Sequence, residues 1–251
     1  MKNLCLILLG AFASPVFAQS DTTFMPEGSK DITLTAAAAL VQRSEGSSKM
    51  RAIVLPSVSV QWSNGVFLAP GGVGMKFSDD PNLQYGPLLD YGVKNQRSDE
   101  ADQSTRLSLQ PGAFVSYQLL NNLNLHSALK YGGSDDHRGV QFEIGSSFST
   151  PIAQHRAITL ALGATFVDRA YMQSYFGVTP AQSRAGRRPV YDAGGGLKNV
   201  YVSGGWSVEL THKYSLYSGV NVSWLGNTPA ASPLTNSNRG LSVFSVLSYH
   251  Y

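Results

Sequence analysis

Residues 240–251 read GLSVFSVLSYHY, and this stretch decides the fold. Leu241, Val243, Leu247, Tyr249 and Tyr251 share one face, with Ser245 as the single small polar interruption. Ser242, Ser248 and His250 share the other face with Phe244 and Val246. Successive side chains of a strand point to opposite faces, so the segment can meet lipid on one side and a polar interior on the other. A closing aromatic suits the girdle beside a membrane barrel's apolar band, which makes Tyr249 and Tyr251 a candidate assembly signal for the barrel-assembly machinery. The last strand of a soluble sandwich alternates in the same way, so the rest of the chain has to choose.

From residue 106 onward the alternation is nearly unbroken. Leu107, Leu109, Ala113, Val115, Tyr117 and Leu119 oppose Ser108, Gln110, Gly112, Ser116 and Gln118. Leu123, Leu125, Leu129 and Tyr131 oppose Asn124, His126 and Lys130, and Val140, Phe142, Ile144 and Phe148 oppose Gln141, Glu143, Ser147 and Ser149. Ile158, Leu160, Leu162, Ala164 and Phe166 oppose Thr159, Gly163, Thr165 and Arg169. The same pattern returns around Val200–Leu210 and Leu216–Trp224. These runs are about 10–12 residues long, which a tilted membrane strand needs, whereas soluble sandwich strands average about 5–6. Length selects the barrel.

The N-terminus sets the compartment. Lys2, the apolar run Leu4–Phe12 and Val16-Phe17-Ala18 form a signal-peptide pattern over residues 1–18, leaving residues 19–251 as one barrel domain. The apolar run falls short of the roughly 20 residues of a spanning helix. Cys5, the single cysteine, lies inside it, so the mature chain carries no thiol and no cysteine metal site. Removing residues 1–18 takes away one lysine and no acid, leaving 18 basic against 16 acidic residues, scattered along the chain. That balance gives no electrostatic case for nucleic acid. Charged residues make up 14%, below the roughly 25% of soluble domains. Mean hydropathy near zero fits a barrel in which only alternate residues meet outer-membrane lipid.

Loop lengths set the topology. Asn121-Asn122 and Thr211-His212-Lys213 are tight turns, whereas 95–105, 133–138, 170–198 and 227–239 are long and polar. Short periplasmic turns alternating with longer outer loops give an antiparallel up-and-down transmembrane barrel of about twelve strands in a Gram-negative outer membrane. Upstream this requires a turn at Trp62–Gly65, a break near Pro70-Gly71-Gly72 and a first strand at 31–42. A ten-strand barrel is the alternative, because Thr35–Gln42 contains good helix formers and Pro56 suits only an edge or bulge.

Chemistry is sparse. His126, His137, His155, His212 and His250 show no metal-ligand spacing, and no GxSxG elbow singles out one of the serines as a nucleophile. Asp135-Asp136-His137 and Asp79-Asp80 read as loop-tip and turn chemistry. The expectation is a non-enzymatic chain without metal or cofactor. Under the alternating register Lys94, Arg106, His126, Lys130, Glu143, Arg169 and Glu209 face the lumen. Buried together they pair across a filled interior; in a wider, wet lumen they line a small pore.

The longest loop holds YMQSYFGVTPAQS (Tyr171–Ser183) and PVYDAGGGLKNV (Pro189–Val200). In these two runs, with Leu55-Pro56, Ser232-Pro233 and the aromatic C-terminus, the chain resembles the MltA-interacting protein (MipA)/OmpV family of outer-membrane proteins. It departs from the family in ending on tyrosine instead of phenylalanine, and in the Arg184, Arg187, Arg188 cluster. The motif residues are Tyr171, Met172, Tyr175, Phe176, Gly177, Thr179, Pro180, Tyr191, Asp192, Gly194, Gly195 and Gly196. The glycines and Pro180 let the loop fold back on the barrel mouth, and self-packing is the favoured reading over an aromatic plug or partner surface. The resemblance implies a scaffold binding a periplasmic lytic transglycosylase and a murein synthase; the alternative is a small porin or surface adhesin.

Overall fold

The computed structural model describes residues 26–93, 107–132, 139–186 and 188–251. The signal segment, Lys94, Arg106 and His137 lie outside the described residues. The strands are β1 (Lys30–Gln42), β2 (Met50–Trp62), β3 (Val66–Ala69), β4 (Gly72–Met75), β5 (Leu83–Val93) and β6 (Leu107–Leu120). They continue with β7 (Leu123–Tyr131), β8 (Val140–Ala153), β9 (Arg156–Val167), β10 (Gly196–Glu209), β11 (Tyr214–Leu225) and β12 (Arg239–His250). Each pairs antiparallel with its sequence neighbours, and β1 closes on β12 from Thr33↔His250 to Leu40↔Val243. The Tyr251 N–H donates to the Ile32 carbonyl at 3.0 Å, which carries the seam through the last residue.

This closed barrel has twelve strands. Thr35–Gln42 is strand in spite of its alanines, because both of its edges find ladders, in β12 and in β2. Such tertiary pairing overrides a propensity difference of a few tenths of a kcal/mol per residue. The break at Pro70-Gly71 splits 66–75 into the two four-residue strands β3 and β4.

The inside–outside assignment follows the alternation. Leu109, Leu129, Leu162 and Val202 are 50–58% exposed on the outer face, while Phe67, Ala161 and Phe244 are at most 8% exposed inside. Phe67 meets Phe114 edge-on at 5.7 Å, and Tyr217 meets Phe244 at 5.6 Å. Glycines on neighbouring strands make room for such rings: a Cβ on Gly205 would lie 2.0 Å from the Tyr217 hydroxyl, and one on Gly163 would lie 2.6 Å from the Tyr201 ring. At the short-turn rim Tyr249 packs on Tyr214 at 5.0 Å and under Lys213 at 5.8 Å, as an interfacial aromatic does.

Three expectations change. Arg169 is no lumen residue of β9, because the strand ends at Val167 and Arg169 opens helix α1 (Arg169–Phe176). Glu209 sits at the short-turn end, 65% exposed, where it pairs with His155 at 2.8 Å. The long loops are also less irregular than their composition implies, and they contain α1, α2 (Pro180–Gly186) and α3 (Asn227–Ala230).

Candidate functional site

At the long-loop end the β9–β10 connection folds into a cap. Asp168 opens α1 by accepting the Tyr171 N–H on Oδ1 at 2.8 Å, the bond that an N-cap carboxylate supplies. Helical spacing then places Tyr171, Met172, Tyr175 and Phe176 close together, and the Tyr171 and Tyr175 rings lie 4.5 Å apart. Tyr171, Met172, Phe176, Val167 and Ala193 form a buried cluster, with Tyr175, Tyr191 and Leu225 packed against it. Met172 and Ala193 are fully shielded.

The motif glycines and polar residues have specific tasks. Gly177 leaves space for Gln173: a Cβ there would lie 2.3 Å from the amide, which itself accepts the Ala193 N–H at 2.7 Å. Thr179 and Gln182 exchange hydrogen bonds of 3.0 and 3.3 Å around Pro180, a capping box that starts α2. Val178 and Tyr191 exchange backbone bonds of 2.8 and 3.0 Å, which brings the two sequence motifs together. Gly195 lets the chain pass against Asp168 and Arg169, and Gly196 takes φ +136°, a region that side chains avoid. Nothing lies within 4 Å of a Cβ on Gly194. Asp192 pairs with Arg169 at 2.6 Å, with both side chains about two-thirds exposed.

Two other loops hold this cap down. Ser232 Oγ donates to the Phe176 carbonyl at 2.6 Å, and the Tyr191 hydroxyl donates to the Thr228 carbonyl at 2.8 Å. The Asn236 and Ser237 N–H groups both donate to the Gly46 carbonyl, tying the β11–β12 loop to the β1–β2 loop. A bulge between Leu197 and Asn199 turns Lys198 out of the alternation. Its Nζ meets Glu45 Oε1 at 3.0 Å and lies 5.5 Å over the Tyr171 ring, at 7% residue exposure. Burial pushes the Tyr171 hydroxyl's pKa up, while the Lys198 charge pulls against that shift. Glu45 was invisible to sequence reasoning, and Lys198 stood in the quoted motif without a role. A bulge leaves no periodic signal, and Glu45 sits in an unremarkable Ser-Glu-Gly turn.

Inside the barrel, Lys130 pairs with Asp90 at 2.6 Å. The Tyr201 hydroxyl donates to Glu143 at 3.2 Å and lies 3.5 Å from His126 Nε2. Lys130 and Glu143 are thus the expected lumen charges that the structure brings to partners. Among the described residues no group of three or more His, Cys, Asp or Glu side chains is placed to hold a metal.

Residues 34–251 match a family model described as MltA-interacting protein MipA. None of the curated proteins matches the sequence. Among solved structures the chain is similar to the NanC porin, at 10% identity and a TM-score of 0.53, covering 86% of this chain and 98% of that one. It is also similar to an outer-membrane channel from Pseudomonas putida F1, at 10% identity and TM-score 0.47, over 93% and 99% of the two chains. The translocator domain of the autotransporter NalP from Neisseria meningitidis aligns at 11% identity and TM-score 0.44, over 97% and 93%. The likeness to the NanC porin concerns the fold alone, that of a porin barrel.

Proposed function

The chain belongs to the MltA-interacting protein family of outer-membrane barrels, and from that premise we propose that it is a scaffold for murein enzymes. Its short-turn end faces the periplasm and docks a lytic transglycosylase together with a murein synthase. The observation that carries this reading is the family match over residues 34–251, which spans every strand. The cap supports it, because the family-motif loop spends its aromatic residues on packing at the opposite end of the barrel. Contact with a periplasmic partner then falls to the turn-end groups, among them the exposed His155–Glu209 pair and Lys213. The test is a pull-down with the refolded barrel against purified periplasmic murein hydrolase and synthase. Retention that weakens with Lys213→Glu supports the scaffold, and no retention of either enzyme refutes it.

A second reading, a small-solute pore, is favoured by the polar inward face with its fixed Lys130–Asp90 pair. It requires discrete single-channel openings in a planar bilayer that disappear after heat denaturation.

A further inference from the structure

The long-loop rim over β12, β1 and β2 carries cations that no acid answers. The outward apolar side chains of these strands end at Leu241, Leu40 and Met50, which are 44–50% exposed. Arg239, the first residue of β12, shares the parity of Leu241 and Val243 and so points outward with them. Its cross-strand neighbour is Trp224 of β11, exposed on the same face, so a cation and an indole stand side by side where the apolar band stops. The Arg43 N–H donates to the Lys49 carbonyl at 2.8 Å, one rung beyond the partners Gln42 and Met50. Arg43 and Lys49 thus lie opposite each other, and both are exposed. Like charges in that position repel unless an anion comes between them.

The loops hold all three cations by their backbone. Gln42 Nε2 donates to the Ser47 carbonyl at 2.6 Å and to the Arg239 carbonyl at 3.0 Å, which clamps the β1–β2 turn to the start of β12. Ser47 Oγ accepts the Lys49 N–H at 3.1 Å, and Ser237 Oγ accepts the Arg239 N–H at 3.3 Å. Groups already fixed in place lose less freedom when a ligand arrives. The one acid of the β1–β2 turn is engaged elsewhere, because Glu45 pairs with Lys198 at 3.0 Å. Among the described residues Arg43, Lys49 and Arg239 have no carboxylate partner.

Three fixed cations directly above an apolar wall match a ligand that is anionic at one end and apolar at the other. Guanidinium forks and a lysine ammonium both bind phosphate oxygens. Long basic side chains reach from the last apolar contact into the headgroup layer. Acyl chains then run along Leu40, Leu241 and Met50, which a small soluble anion would leave uncovered.

We propose that this rim binds a phosphate-bearing lipid of the outer leaflet, with the phosphates on Arg239, Arg43 and Lys49. The site takes from the scaffold reading only its orientation, long loops outward, and none of its murein enzymes. The test uses the full barrel in phosphatidylcholine nanodiscs doped with diphosphoryl lipid A or, separately, with the dephosphorylated form. Native mass spectrometry counts the lipid that stays with the released barrel. The wild type retains the diphosphoryl form over the dephosphorylated one. A cation near an anionic headgroup is worth about a fivefold preference, so Arg239→Gln lowers that ratio about fivefold. Combining it with Arg43→Gln and Lys49→Gln abolishes the preference, and the single variant serves if the triple one fails to assemble. Arg156→Gln, an exposed cation of the opposite rim, leaves the ratio unchanged. Equal retention of the two lipids by the wild type overturns the proposal, as does a loss with Arg156→Gln as large as with Arg239→Gln. Displacement of lipid A by inorganic phosphate assigns the rim to a free anion and overturns it equally. The readout is lipid alone, so this assay and the murein-enzyme pull-down fail separately.

Discussion

Replacing Glu45 by glutamine keeps the volume of the side chain and removes one charge from the pair that fastens the cap. Lys198 Nζ then stays at the same site, 8% exposed, without the carboxylate that now lies 3.0 Å away. Breaking a buried ion pair from one side costs about 3–5 kcal/mol, because the remaining charge is left uncompensated. Glu45 is itself 25% exposed, and water reaching the lysine recovers part of that cost, which places the expected loss near the lower bound, about 3 kcal/mol. The loss falls on cap opening and leaves the barrel ladders untouched. Hydrogen exchange at the Val178 and Tyr191 amides, whose bonds of 2.8 and 3.0 Å exist only with the cap closed, reads that opening directly. An opening cost lower by about 3 kcal/mol accelerates exchange by roughly a hundredfold. Lys198→Met in the Glu45→Gln background removes the stranded charge and restores most of the protection. If the two single substitutions add without coupling, the pair does not hold the cap, and the reasoning about its burial is wrong.

Other substitutions test the rest of the structure. Leu162→Arg, on the lipid face, costs about 2–4 kcal/mol near the midplane and depletes the heat-modifiable folded band, whereas Ser147→Arg on the inner face assembles. Equal depletion by both would refute the inside–outside assignment. Gly205→Ala drives a methyl into the Tyr217 hydroxyl and lowers the thermal midpoint, by about 1–3 kcal/mol of overpacking, while Gly194→Ala meets open space and leaves it unchanged. The raised pKa of Tyr171 means that its contribution to cap stability is complete below the ordinary tyrosine range and is lost as pH rises through the folded value. Cap opening, read as amide exchange after correction for its intrinsic base catalysis, therefore increases in strong alkali, and Tyr171→Phe removes that excess.

Alternation determined most of the architecture by itself. A period of two is a local property, and a barrel repeats one local rule around its circumference; Leu162, Val202 and Leu129 therefore face lipid as their neighbours in sequence require. The alternation of tight turns with long loops likewise determined the antiparallel order, and Pro70-Gly71 marked the split of β3 from β4. Wherever the backbone leaves that period, the sequence carried no such signal. Lys198 turns inward because one bulge shifts the register, and its partner Glu45 is more than 150 residues away in the chain. Arg169 left the lumen because Asp168 caps a helix where alternation alone would continue a strand. Among the described residues β2 meets β3 only through Val60 and Gln61, because the β3–β4 hairpin is far shorter than the strands beside it, a mismatch of lengths that appears only when the strands stand side by side. Local periodicity is written residue by residue, whereas contacts between distant loops and the fit of unequal strands depend on closure of the whole barrel.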